Sequence, residues 1–160
     1  MTSWINPPSA GADAGAQAAI VDALYRFAAG QDLRDRALFH SAWTADDAEL
    51  DFTQPALRLG LELPPFRGRE HITDAILGSL AAITTSHSVT NPRVQVQGDS
   101  ARLFALVEAQ HLPAADHSRH LLLKNVYWCD LVAENGLWAI RRMRIENLWM
   151  DGDPRVLFPG

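Results

Sequence analysis

The chain has a single cysteine, Cys129, which rules out an intrachain disulfide and a cysteine-based metal knuckle. Its apolar neighbours mark that thiol as a buried structural group rather than a nucleophile. No apolar run approaches membrane-spanning length. Met1 to Gln17 lacks the basic start and apolar core of a signal peptide. These absences lead us to expect a protein that stays in the cytoplasm and has no membrane partner. An excess of positive charge is also missing, because the formal net charge is -5. Lys and Arg are scattered, and only Arg141, Arg142 and Arg144 concentrate. On a strand, alternation places Arg142 and Arg144 on one solvated face, so nucleic acid is not an expected partner. Internal repeats and a second domain are missing too. The 160 residues read as a flexible arm over 1–15 and one domain over 16–160.

What is present is an ordered change of period. From Ala16 a helix is expected, with Ile20, Leu24 and Phe27 as one apolar stripe and Val21, Tyr25, Ala28 and Asp32 beside it. Gly30 suggests fraying, and Asp35 is placed to cap a second helix running towards Trp43. A short strand follows, with Leu50 and Phe52 on one face. Thr53 to Pro65, carrying three prolines, reads as a loop. Gly68 then opens a third helix, with Ile72, Ala75, Ile76 and Leu80 inward. Beyond residue 85 the pattern turns to strands. One of them keeps Ala101, Leu103, Ala105, Val107 and Ala109 on a single face that ends at His111. A long strand from His120 to Val132, a turn at Glu134-Asn135-Gly136 and a last strand from Leu137 to Leu148 complete the chain. The fold class is α+β: a curved mixed or antiparallel sheet forming a cone, with three N-terminal helices around one pocket.

His111, at the end of an apolar strand face, places an ionisable group at the rim of an interior, where an imidazole needs partners. His87 is the second such group. Asp32 ends an inward-facing helix stripe. It is placed either to cap the following helix or to hold an imidazole in one tautomer and raise its basicity.

Three segments carry a resemblance: Tyr25-Arg-Phe-Ala-Ala-Gly-Gln-Asp32, Phe66-Arg-Gly-Arg-Glu-His-Ile72 and Gly136-Leu-Trp138. Over roughly residues 16 to 153 the chain resembles the SnoaL-like superfamily, which shares the nuclear-transport-factor-type cone. In polar residues it is most similar to scytalone dehydratase. The resemblance implies that Asp32, His87 and His111 are the catalytic set. It also implies that two tyrosines used there to polarise the substrate carbonyl are replaced here by Gln31 and Phe52. Tyr127 shares a strand face with Leu121, Leu123, Asn125 and Cys129 and is expected to substitute for them. Tyr127, Tyr25, Phe52 and Asn125 are thus the expected substrate-binding residues.

The implied chemistry is a lyase reaction that needs no cofactor and no metal. His87, oriented by Asp32, takes a proton next to a carbonyl of a small hydroxylated cyclic, aromatic or polyketide-like substrate. His111 protonates the departing hydroxide. An isomerase, a polyketide cyclase and a non-catalytic ligand-binding protein are the alternatives. A metal site built from His111, Asp116, His117 and His120 is disfavoured, because alternation sets His120 opposite Tyr127. Phe104, Leu106, Val126 and Trp128 fall on the face away from the pocket, so a homodimer or homotrimer is expected.

Overall fold

The computed structural model describes residues 13–157. Helix α1 (Ala14–Asp32) is capped by Asp13, whose carboxylate accepts from the Ala16 amide at 2.7 Å. It therefore begins two residues before the expected start, and positions 14 and 15 of the expected arm are helical. Residues 1–12 of that arm lie outside the described residues. The expected fraying at Gly30 is also corrected, because α1 runs on to Asp32. Gly30 is instead a packing device. A Cβ there would sit 2.5 Å from the backbone of Phe39, so its absence lets helix α2 (Arg36–Ser41) approach closely. Asp35 caps α2 as expected, accepting from the Leu38 amide at 2.9 Å. Phe27 then packs against Phe39 and Trp43, with ring centroids 5.2 and 5.6 Å apart.

Strand β1 (Glu49–Asp51) is followed by a feature that the prolines disguised. Thr53–Arg58 is a helix, α3, where a loop was expected. Pro55 occupies its first turn, where a missing amide hydrogen costs nothing because that position has no intrahelical acceptor to serve. Among the described residues there are accordingly four α-helices rather than three, with β2 (Phe66–Arg67) leading into α4 (Arg69–Ser79). A 3-10 turn at Pro154–Val156 ends the described chain.

Four long strands, β3 (Ile83–Gln97), β4 (Ser100–Pro113), β5 (Leu121–Glu134) and β6 (Leu137–Gly152), build an antiparallel meander. The full order is β2-β1-β6-β5-β4-β3, and β1 runs parallel to β6, which makes the sheet mixed. The sheet is curved and not closed, because β2 and β3 remain at opposite edges. Its inner face follows the alternation in β4, where Ala101, Leu103, Ala105, Val107, Ala109 and His111 are all buried. Two bulges in β6 re-aim side chains: residue 141 is an extra residue opposite β5, and so is residue 148. Arg141 joins Arg142 and Arg144 in solvent for that reason. Helix α1 lies against this inner face through Ile20, Ala23, Leu24 and Phe27.

Candidate active site

The end of α1 and the first half of β3 meet beside the cavity, and this junction builds a carboxylate–imidazole dyad. Asp32 is the last residue of α1, and His87 lies 55 positions later in sequence. Asp32 Oδ1 lies 2.6 Å from His87 Nδ1, and Asp32 Oδ2 accepts from the His87 amide at 2.7 Å. The carboxylate is thus gripped by both the ring and the backbone of one residue. A ring nitrogen facing a carboxylate carries the hydrogen, so His87 Nδ1 donates and Nε2 keeps its lone pair for the cavity. The His87 side chain is only 3% exposed against 23% for Asp32. Burial acts to raise the Asp32 carboxyl, yet its bonds to His87 and to the Thr85 hydroxyl leave it below the ordinary carboxylate value. Asp32 therefore does not cap α2, because Asp35 does.

His111 faces the same cavity from β4. Its ring centroid lies 6.1 Å from that of His87, and the two rings are nearly perpendicular at 81°. His111 Nδ1 donates to the Leu121 carbonyl at 3.2 Å, which leaves Nε2 as an acceptor. Burial, aided by the neighbouring His87, lowers His111 from 6.5 to about 4. A neutral imidazole whose one N–H is spent on a carbonyl is not a proton donor. His111 thus rests as a neutral acceptor.

The His111 shift has a consequence for stability. A group whose folded value lies below its unfolded value holds fewer protons in the folded state, so stability falls as pH drops through the window between them. For His111 the loss sets in near pH 6.5 and is complete near pH 4, at about 3 kcal/mol. The Asp32 contribution disappears only below the ordinary carboxylate value of 3.8, outside that window. Urea unfolding at pH 7 and pH 5 is expected to show this decline in the wild type and a flattened one in His111→Gln. Equal slopes in the two proteins contradict the assignment.

The cavity measures 260 Å³. Phe27, Leu50, Phe52, Phe66, Ile76 and Ile145 supply apolar walls, and Gln31, His87, His111, Asn125 and Tyr127 supply the principal polar atoms. Asn147 sets the direction of the Asn125 amide. Its own NH₂ donates to the Trp149 carbonyl at 2.8 Å and to Asn125 Oδ1 at 2.9 Å. Asn125 is left with its NH₂ as the group to offer Tyr127 and the cavity. Burial raises the Tyr127 phenol, which therefore stays a neutral hydroxyl. Asn125 and Tyr127 thus give the cavity hydrogen-bond donors.

Of the seven expected site residues, His87, His111, Phe52, Asn125 and Tyr127 line this cavity, and Asp32 stands directly behind His87. Tyr25 does not belong to it, being 48% exposed. At about 100° per residue it lies about 140° round α1 from the centre of the buried stripe, so it faces away from the sheet. Gln31 lines the cavity too, with its amide nitrogen donating to the Phe27 carbonyl at 3.3 Å. The residues missed were Thr85, Asn147 and Ser79. Thr85 precedes His87 by two on the same strand face, a signal that alternation contains. Asn147 continues the inward alternation of Met143 and Ile145 and stands opposite Asn125 in the same register, so alternation contained this signal too. The disfavoured metal set is not assembled: His120 pairs with Asp151 at 3.1 Å, and Asp116 accepts from the Ser118 hydroxyl at 2.6 Å. No described helix is long and apolar enough to cross a membrane.

Residues 12–144 match the SnoaL-like domain. The chain is 31% identical over 142 residues to terrestric acid biosynthesis cluster protein E of Penicillium crustosum, covering 84% of this chain and 85% of that protein. Among solved structures, a candidate scytalone dehydratase of Novosphingobium aromaticivorans superposes with a TM-score of 0.72 at 16% identity, covering 85% of this chain and 86% of that one. Hexachlorocyclohexane dehydrochlorinase LinA-type3 of Novosphingobium barchaimii gives 0.69 at 19% identity, covering 87% and 90%. At such identities the two structures speak for the fold.

Proposed function

The chain belongs to the SnoaL-like family, and from that premise we propose that it is a cofactor-independent lyase that eliminates water from a small, uncharged, hydroxylated cyclic substrate. The observation that carries this reading is the Asp32–His87 dyad, with its 2.6 Å contact, facing a 260 Å³ apolar cavity. A base held in one tautomer by a carboxylate, in a mainly apolar cavity, is suited to taking a proton from carbon. Two structural neighbours, named as a dehydratase and a dehydrochlorinase, carry the names of eliminations and agree with this class.

His87 Nε2 removes the proton beside a carbonyl, and the carbonyl oxygen receives the charge, with Asn125 and Tyr127 as the hydrogen-bond donors that meet it. The electron pair forms the double bond as hydroxide leaves the neighbouring carbon. The proton held by His87 passes to that hydroxide, so water departs and the base is regenerated. His111, neutral with a free Nε2, accepts a hydrogen bond from a substrate hydroxyl and fixes the ring. The walls offer no fixed charge, which suits a neutral substrate rather than a carboxylate or phosphate.

The test is a panel of hydroxylated cyclic ketones and polyketide fragments, followed by mass spectrometry for loss of water. Water loss with at least one member supports the reading. Double-bond migration or ring closure without mass change moves the assignment to an isomerase or cyclase on the same dyad. Saturable binding of several members with no product makes the protein a ligand carrier.

A further inference from the structure

One buried polar side chain of the cavity has no part in the elimination. Gln31 lines the cavity and is 5% exposed. It precedes Asp32 on α1, and a step of about 100° along a helix sends the two side chains different ways. Asp32 turns to His87 on β3, and Gln31 turns to the cavity. The Gln31 backbone is held, because its carbonyl accepts from the Arg34 amide at 3.2 Å and from the Arg34 guanidinium. Its side-chain Nε2 donates to the Phe27 carbonyl at 3.3 Å. A carbonyl can only accept, so this bond decides which end of the amide is which and leaves Oε1 over. Among the described residues no donor reaches that oxygen. It is not sealed in the interior either, and the space it opens on is the cavity.

His111 Nε2 is a second acceptor in the same position, since the Nδ1 hydrogen is spent on the Leu121 carbonyl. A hydroxyl has one hydrogen and satisfies one acceptor at a time. A ligand with a single hydroxyl therefore leaves either Gln31 or His111 bare, and a buried acceptor without a donor costs more than a typical hydrogen bond contributes. We propose that Gln31 is a specificity-determining residue, whose amide oxygen selects ligands that bring a second hydroxyl besides the one accepted by His111. The inference rests on the reading of this cavity as the substrate site, and it narrows the substrate from a hydroxylated to a dihydroxylated cyclic ketone. An amide oxygen accepts without carrying charge, so it favours a neutral hydroxyl and does not call for a cation. A fluorine in the same place is of similar size but brings no hydrogen, and the site discriminates against it.

The experiment reads binding and needs no turnover. The probes are dihydroxyacetophenone isomers and their counterparts in which one hydroxyl is replaced by fluorine. They carry a carbonyl and two donors but no leaving hydroxide. Calorimetry on the full chain is expected to show at least one isomer losing about tenfold in affinity for each hydroxyl replaced. In Gln31→Met one of those two losses should vanish while the other persists, because His111 still accepts its hydroxyl. Should Gln31→Met fail to fold, Gln31→Leu is read in the same way. A measurement on the wild type stands beside the variants: with ¹³C-labelled glutamine, the Gln31 side-chain carbonyl signal should move on adding the dihydroxy probe and stay with the fluorinated one. A water serving Oε1, or a purely structural Gln31, predicts equal affinities for both probes at this position and an unmoved carbonyl signal. Those results overturn the proposal, as does a Gln31→Met protein that keeps both losses with only a lower Tm. A protein that selects the second hydroxyl but eliminates water from nothing keeps the inference and loses the lyase reading. One that dehydrates a substrate and is blind to the second hydroxyl loses the inference alone.

Discussion

His87→Ala is expected to remove about 10²–10⁴-fold of turnover, equivalent to roughly 3–5 kcal/mol in the barrier. The ring that disappears is the one whose Nδ1 is held by Asp32 at 2.6 Å, and among the described residues no other base faces the cavity with a carboxylate behind it. The cavity walls are supplied by Phe27, Leu50, Phe52, Phe66 and Ile145, so binding of a substrate that is turned over should change little. The loss therefore belongs in kcat rather than KM. Asp32→Asn should cost less, because it removes charge and orientation while the imidazole stays. Measured against the water-eliminating substrate, a wild-type rate in His87→Ala removes the proposed mechanism. A comparable fall in affinity for His87→Ala, Asp32→Asn and His111→Ala, with no turnover by wild type, is the signature of a carrier.

Gly30→Ala is the second large effect, and its sign opposes helix propensity. In an exposed helix interior the change would stabilise by about 1 kcal/mol. Here the new methyl group meets the Phe39 backbone at 2.5 Å and its Cβ at 2.6 Å, and backbone cannot rotate out of the way. The two helices must separate, which disturbs the Phe27, Phe39 and Trp43 cluster at the heart of the core. Overpacking of this kind costs about 1–3 kcal/mol and more where backbone moves. A net loss of about 2 kcal/mol is expected, read as a Tm lowered by roughly 5 °C. Gly78 is the control: it lies in α4 with nothing within 4 Å of a built Cβ. Gly78→Ala should be neutral or mildly stabilising. Equal stability of the two variants would show that α1 and α2 are not packed as described.

The residues that chemistry requires were legible where a period carried them. The β4 alternation ended at His111, and the helix stripe ended at Asp32; those endings pointed to one interior. Tyr25 shared the same stripe and was assigned with it, yet it faces away. A seven-residue spacing fixes a direction on the helix but not which side the sheet covers. The three prolines over Thr53–Pro65 concealed α3, because proline punctuates a helix at its interior and not at its first turn. Gly30 was read for its flexibility, whereas its role is the room it leaves for a neighbouring chain segment that local sequence cannot show.

Local sequence determined the α+β class, the meander, the caps at Asp35 and the turn at Asn135-Gly136, since these depend on periodicity and on groups a few residues apart. It also supplied the ionisable residues from which the site is made. Tertiary structure alone decided their states. His111 became a neutral acceptor because Leu121 offered a carbonyl and burial removed water. Asp32 became the partner of His87 because the end of α1 meets β3, a joint that Arg34 and Thr85 secure. Asn125 acquired its direction from Asn147, its partner on the neighbouring strand. Protonation and hydrogen-bond direction depend on which groups meet in space and how much water remains between them, and spacing along a chain contains neither.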